Sequence, residues 1–333
     1  HAWMAEHGVV RCELVELGGE KFQLGCKADA PEDLGGAASA AAKAAGLRDV
    51  SVDVKVSEDG KGPAKHIRTL RGSLNPAARY EVESIEQKET SSRPPAPFIT
   101  SSLQIAASTR LGFGAERTMR LAQELYEGVE VSGEGRVALI TYMRTDGIDM
   151  APEAVQAARA VIGERYGVQY VPEQPRLYKN KAKNAQEAHE CIRPTEMGQA
   201  PDSLSISDAD QKKLYDLIWK RTVASQMAAA RLERTTVEIE SSDGQVGLRA
   251  TGQVMLFDGF MRVYEEGRDD TVVDEDDKRL PQISAADPLA KKSVTPEQHH
   301  TQPPPRYTEA SLVKRMEELG IGRPSTYASV VTT

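Results

Sequence analysis

The sequence predicts an α+β protein of more than one domain, on three observations. Its 333 residues are enough for two or three domains with cores of their own. Strand patterns come first, helical patterns follow, and strands then return. A proline-rich stretch, Ser91-Ser92-Arg93-Pro94-Pro95-Ala96-Pro97, separates the first two regions.

The elements justify themselves in order. Val9 to Leu24 reads as a hairpin with Gly18-Gly19 at its turn. Ala37 to Ala45 is alanine-rich and reads as helix. Val50, Val52, Val54 and Val56 alternate with polar residues, and Tyr80 to Gln87 reads as another strand. After the prolines, Leu103, Ala106, Ala107 and Leu111 have helical spacing. Gly112-Phe113-Gly114 interrupts, and Met119, Ala122, Leu125 and Tyr126 mark a second helix ended by Gly128. Two short helices about a tight glycine turn suggest a helix-turn-helix unit. Pro152 opens a helix whose face carries Val155, Ala158 and Ile162, with Gly167 past its end. Ala185 to Ile192 reads as a short helix that Pro194 ends. Ser207 is the expected cap of a long helix to about Met227. Strands return at Thr235 to Glu240 and Val246 to Leu256 around Ser242-Asp243-Gly244. Asp269 to Gln302 reads as polar loop, and Thr308 to Leu319 as a helix.

Composition narrows the function classes. No apolar run reaches membrane-span length and no signal peptide is visible, so a soluble, cytoplasmic protein is expected. Cys12, Cys26 and Cys191 are too widely spaced for a disulfide framework or a zinc site. Net charge is −8, from 42 Lys and Arg against 50 Asp and Glu, which counts against a simple basic DNA-coating protein. A groove can still carry local positive charge under an acidic exterior. The chain opens on His1 and breaks off at Val331-Thr332-Thr333 without a helix stop, so both ends look cut.

The chemistry concentrates in Ile140-Thr141-Tyr142-Met143-Arg144-Thr145-Asp146. If Arg136 to Arg144 is extended, Ala138, Ile140, Tyr142 and Arg144 share one side. A phenol and a guanidinium aimed at one point suit attack on a phosphodiester, with the arginine stabilising charge that builds on phosphorus. On those two residues alone, a strand tyrosine beside a surface arginine is the commoner arrangement.

The surrounding blocks carry a resemblance. They are Pro97-Phe98-Ile99-Thr100-Ser101-Ser102-Leu103-Gln104, then Ala107-Ser108-Thr109-Arg110-Leu111-Gly112-Phe113-Gly114. Gln186-Glu187-Ala188-His189-Glu190-Cys191-Ile192-Arg193-Pro194 and Leu319-Gly320-Ile321-Gly322-Arg323-Pro324-Ser325-Thr326-Tyr327-Ala328-Ser329 follow. In this order the sequence resembles type IA DNA topoisomerases, in particular the bacterial topoisomerase I group. The match is strong over about 79–197 and 301–333, moderate over 204–264 and weak before 79. It implies a β-rich arch with an inserted, mainly helical tyrosine domain and part of a helical base. By it, 1–92 and 232–302 form the arch, 93–231 the tyrosine domain and 303–333 the start of the base.

The same resemblance assigns roles. Tyr142 is the nucleophile, leaving a 5′-phosphotyrosine and a free 3′-hydroxyl, so that religation needs no ATP. Arg144 stabilises the phosphorane. Thr141, Thr145 and Asp146 flank the pair near the scissile phosphate. His189 matches a histidine near that phosphate, as a hydrogen-bond donor rather than a general base, and Arg193 is expected to be structural. Gln123 and Glu127, one helical turn apart, match positions near the tyrosine, although a plain surface role fits nearly as well. Arg323 and Thr326 supply donors to single-stranded DNA while glycines let the backbone approach a phosphate. Tyr327 is expected in the core.

The family holds magnesium on an Asp-x-Asp-x-Glu cluster in an N-terminal domain, a motif this sequence lacks. Asp274-Glu275-Asp276-Asp277-Lys278 has Lys278 where the glutamate belongs. The expected metal ligands in this chain are therefore none, with Mg2+ held in the full-length enzyme by the N-terminal domain of the same polypeptide. The implied activity is relaxation of negatively supercoiled DNA, with single-stranded DNA as partner, no membrane, and a nucleoid-associated place in the cytoplasm. Alternatives are a non-catalytic single-strand-binding or gating module, or a topoisomerase III or reverse-gyrase relative.

Overall fold

The computed structural model describes residues 2–5, 8–25, 33–58, 65–133, 135–178, 190–265, 279–297, 299 and 304–332. The strands are β1 (Ala2–Ala5), β2 (Gly8–Val10), β3 (Glu13–Leu17), β4 (Glu20–Lys21), β5 (Leu47–Val56), β6 (His66–Leu74), β7 (Tyr80–Ser92), β8 (Val129–Val131), β9 (Gly135–Val137), β10 (Ala230–Ser241), β11 (Val246–Phe257) and β12 (Pro288–Ser293). The helices are α1 (Gly35–Ala44), α2 (Thr100–Leu111), α3 (Ala115–Glu127), α4 (Pro152–Tyr166), α5 (Ala209–Ser225), α6 (Glu309–Leu319) and α7 (Tyr327–Thr332). The mixed α+β class is as the sequence indicates. The chain divides into two compact units, one of 1–90, 232–254 and 273–304, the other of 91–231, 255–272 and 305–333.

The first unit is built on an eight-stranded sheet in the order β2-β1-β12-β7-β10-β11-β3-β4. Its buried face follows the period of two: Tyr80 and Val82, Val237 and Ile239, and Val246, Leu248 and Ala250 lie in one cluster with Val10 and Leu289. The β10–β11 turn is closed by its own side chains. The Ser241 hydroxyl meets Asp243 Oδ1 at 2.6 Å and accepts from Val246 N at 2.9 Å, while Gly244 takes φ +66°. β5 and β6 form a separate two-stranded ribbon. Its Val54 and Val56 are exposed, so here alternation marks a strand without marking a core.

Three strand readings need correction. The first hairpin is only β3–β4, because β2 pairs with β1. β7 runs on to Ser92, so the irregular link begins at Arg93. The segment read as loop over 269–302 contains β12, which pairs with β7 and β1. The acidic run Asp274 to Asp277, with Lys278, lies outside the described residues.

The second unit packs helices around one large core. α5 is its centre: Leu214, Tyr215, Ile218, Val223 and Ala224 have no measurable exposure. Its cap is Asp208, one residue later than expected, whose carboxylate accepts from the backbone N–H of Asp210 and Gln211 at 2.8 and 2.9 Å. α4 starts on Pro152 and stops at Gly167, with φ +105°. α2 and α3 flank Gly112 to Gly114, and Gly112 adopts the left-handed conformation that ends a helix. α6 is capped by Thr308, and Val313 and Met316 pack with Tyr327, which is 7 % exposed and so belongs to the core as expected. Cys12 and Cys191 are buried free thiols, and burial pushes both up to about 12.

The expected helix over Ala185 to Ile192 is only partly described, and its described end is extended. Ile192 bridges Phe98, Cys191 N donates to Asp149 O, and Pro194 bridges Ile140. These pairings give residues 190–195 a strand-like path between two other segments, and that overrides local helix spacing. His189 lies outside the described residues. Among the described residues no helix is long and apolar enough to cross a membrane.

Candidate active site

The site is assembled from α3, the segment after β9 and the start of α7. The tyrosine segment is not a regular strand. β9 ends at Val137, and Leu139 and Ile140 are both buried. Ile140 therefore does not share a face with Tyr142, against the sequence reading. Alternation resumes only afterwards: Tyr142 is 42 % exposed, Met143 2 %, Arg144 exposed and Thr145 2 %. Tyr142 and Arg144 thus project to solvent on either side of a buried methionine.

Backbone bonds explain this path. Leu139 N donates to Leu125 O at 2.8 Å, and Thr141 N donates to Arg193 O at 2.9 Å. The Thr100 hydroxyl donates to Met143 O at 2.7 Å. Three separate segments hold the chain around the tyrosine, and none requires the β period.

Arg144 is oriented from α3. Its Nη2 donates to Gln123 Oε1 at 3.5 Å, and Gln123 Nε2 donates to Glu127 Oε1 at 2.7 Å. Gln123 has its carbonyl toward the guanidinium because its amide is held by the carboxylate one turn later. The structure therefore links three sequence-selected residues, Gln123, Glu127 and Arg144, while Tyr142 meets the same helix through Tyr126. The Tyr126 ring meets the Tyr142 ring edge to face, with centroids 5.4 Å apart and planes at 70°. The sequence reading put Tyr126 in the apolar stripe of its helix, but it is 40 % exposed.

A cleft of about 570 Å³ lies alongside. Its walls are the α3 face from Glu116 to Glu127, Arg144, and Ser325, Ala328 and Ser329 opposite. Arg120 is the second guanidinium on this cleft, a residue the sequence did not single out. Its position one turn before Gln123 was the available signal.

Other expected site residues have structural partners. The Thr141 hydroxyl donates to Cys191 O at 2.7 Å and accepts from Arg193 N at 3.0 Å. Thr145 Oγ1 accepts from Gly147 N at 2.9 Å. Asp146 is half-buried and, after burial and Glu317, helps to push the Tyr327 phenol up. Arg193 is held by Glu190 at 2.6 Å. Arg323 is exposed, but Thr326 Oγ1 accepts from Arg323 N at 2.9 Å and donates to Arg323 O at 3.2 Å, closing its own turn. The glycines there have conformational and packing surroundings of their own. Gly320 is the left-handed cap of α6. A Cβ on Gly322, at φ +81°, would come within 3.2 Å of Tyr327 and 3.3 Å of Met316, tighter than ordinary contact. Ser325 and Ser329, rather than Thr326, line the cleft.

Among the described residues no group of three or more His, Cys, Asp or Glu is placed to hold a metal ion. The acidic α3 residues on the cleft do not supply such a set.

The helical unit thus presents an exposed tyrosine, Tyr142, two residues from an arginine that lines a cleft, and comparison with known proteins gives the family. A family model described as DNA topoisomerase matches residues 52–333. The chain belongs to the DNA topoisomerase family. It is 54 % identical over 259 residues to DNA topoisomerase 1 of Zymomonas mobilis, covering 77 % of this chain and 20 % of that protein. It is 49 % identical over 254 residues to DNA topoisomerase 1 of Rickettsia felis, covering 76 % and 32 %. The full-length topoisomerase I structure from Thermotoga maritima superposes with a TM-score of 0.62 at 34 % identity, covering 85 % of this chain and 45 % of that one. The chain thus spans between a fifth and a third of the length of these two relatives.

Proposed function

We propose that this chain is the tyrosine-bearing part of a type IA topoisomerase that relaxes negatively supercoiled DNA. The observation that carries this reading is the presentation of Tyr142 and Arg144 together, with Arg144 tied to Gln123 and Glu127 on α3. Tyr142 Oη attacks phosphorus in a single-stranded segment. A bond forms from the phenol oxygen to phosphorus, and the bond from phosphorus to the 3′ oxygen breaks. The phenol gives up a proton and the departing 3′ oxygen gains one, so the step is balanced. The 5′-phosphotyrosine conserves the phosphodiester, and attack by the 3′-hydroxyl reverses it after the other strand has passed. Arg144 stabilises the charge that builds on the phosphoryl oxygens.

The domain roles follow the same proposal. Residues 1–92 and 232–302 form the arch, 93–231 the tyrosine domain and 303–333 the beginning of the helical base. Arg323, Ser325 and Ser329 contact the single strand opposite α3, and His189 contacts the scissile phosphate. Mg2+ belongs to the complete polypeptide. The described residues offer no ligand set for it. The protein acts in the cytoplasm on nucleoid DNA.

The test is a 3′-end-labelled single-stranded oligonucleotide incubated with the complete polypeptide and resolved under denaturing conditions. Label migrating with protein is expected. Oligonucleotide binding without any covalently labelled protein would overturn the enzymatic reading.

A further inference from the structure

We propose that Tyr126 is a positioning residue that holds the Tyr142 phenol in its attacking orientation. The proposal rests on the reading of Tyr142 as nucleophile. A side chain 42 % exposed on an irregular segment has no neighbouring strand to fix it. Exposed side chains change rotamer on the picosecond-to-nanosecond scale among three staggered wells. The backbone around Tyr142 is anchored at Leu139, Thr141 and Met143, but these bonds do not select its side-chain rotamer.

Tyr126 supplies that selection. Its ring meets the Tyr142 ring at 5.4 Å and 70°, inside the edge-to-face range that aromatic pairs prefer. The partner is well placed to serve as a stop. Tyr126 sits on the last turn of α3, next to Leu125, whose carbonyl is bonded to Leu139 N and whose side chain is fully buried. The helix and the tyrosine segment are therefore fixed to one another by a backbone bond one residue from Tyr126 and three residues from Tyr142. Both rings remain about two-fifths exposed, so their pairing adds little to the core. Its main consequence is orientation. The same turn carries Gln123, which holds Arg144. One turn of α3 thus aims both members of the pair.

An aromatic pair of this kind biases its rotamers by about tenfold at most. The experiment has two arms. In the first, 3-fluorotyrosine is placed at position 142 of this chain and its 19F resonance is compared in wild type, Tyr126→Phe and Tyr126→Leu. The ring-current shift should persist in the phenylalanine variant and collapse toward the free-residue value in the leucine variant, with melting temperatures unchanged. In the second, covalent adduct formation by the complete polypeptide should slow by about three- to tenfold in Tyr126→Leu, with the oligonucleotide KM held within about twofold. Tyr126→Phe should recover the wild-type rate. An unchanged 19F resonance in Tyr126→Leu would overturn the proposal, as would a collapsed resonance with an unchanged adduct rate. Failure of the nucleophile reading is seen separately, as adducts that survive Tyr142→Phe.

Discussion

Arg144 Nη2 donates to Gln123 Oε1 at 3.5 Å, and Gln123 in turn donates to Glu127 at 2.7 Å. The long first bond and short second one show how the load is shared. The amide is fixed by the carboxylate, and the guanidinium is guided while most of its donors stay available for a phosphate. Replacing Arg144 by alanine should slow adduct formation by about two to three orders of magnitude, the scale of losing one charge-stabilising donor. Lysine should recover only part of this, because it is a point charge without the planar fork. An alanine variant that cleaves within about twofold of wild type would remove Arg144 from the site.

Thr141 has two candidate jobs, contact with the scissile phosphate or fastening of residues 191–193. Its hydroxyl bonds to both Cys191 O and Arg193 N, which favours the second. Thr141→Val keeps the shape and strands both backbone groups, at a cost of about 1–3 kcal/mol. Thr141→Ser should restore most of the loss. Denaturant titration reads the difference. A valine variant of unchanged stability but weakened oligonucleotide binding would return Thr141 to the phosphate.

Glu309 caps a helix that is not its own. Its Oε2 accepts from Ala115 N at 2.8 Å, at the start of α3, where Gly114 offers no side chain. A Cβ on Gly114 would come within 3.1 Å of that oxygen, so the glycine leaves room for the carboxylate. Glu309→Ala should lower stability by about 1 kcal/mol, as for other lost helix caps, with Glu309→Gln losing less. Equal urea midpoints for all three proteins would refute the capping role.

Alkali should destabilise the fold from about pH 10 upward. Burial pushes the phenols of Tyr80 and Tyr178 up to about 12. In the unfolded chain they ionise near 10. Between about pH 10 and 12 the folded state therefore holds more protons than the unfolded one, and stability falls as pH rises. Below that window the two phenols contribute no slope. The denaturation midpoint measured at pH 9, 10.5 and 11.5 should fall progressively. A midpoint that stays level through pH 11.5 would contradict the burial of these hydroxyls.

Much of this architecture is legible where local chemistry decides the outcome. Pro152 and Gly167 bound α4, and Thr308 and Gly320 bound α6, because caps act on backbone groups within one turn. That Tyr142 and Arg144 both face solvent is visible from their spacing of two. What escapes is set by distant partners. β12 reads Pro288-Leu-Ala-Lys-Lys-Ser, with only Leu289 in the core cluster, and its strand character comes from β7 and β1. Residues 190–192 are extended because Phe98 and Asp149 bond to them. Tyr126 has the spacing of a core residue, and its contact with Tyr142 depends on how α3 meets a segment beyond β9. The packing of Met316 and Tyr327 against Gly322 is likewise not visible in the sequence, because it needs both side chains in place.

The central claim is that Tyr142 Oη forms the bond to DNA. The most direct measurement compares the complete polypeptide with its Tyr142→Phe variant on a 3′-end-labelled single-stranded oligonucleotide, reading binding and covalent label together. The ring and its contact with Tyr126 are retained, so oligonucleotide affinity should stay within about twofold, while covalent label disappears and peptide mapping of the wild-type adduct locates it at residue 142. Covalent label at the wild-type rate in the phenylalanine variant would contradict the account.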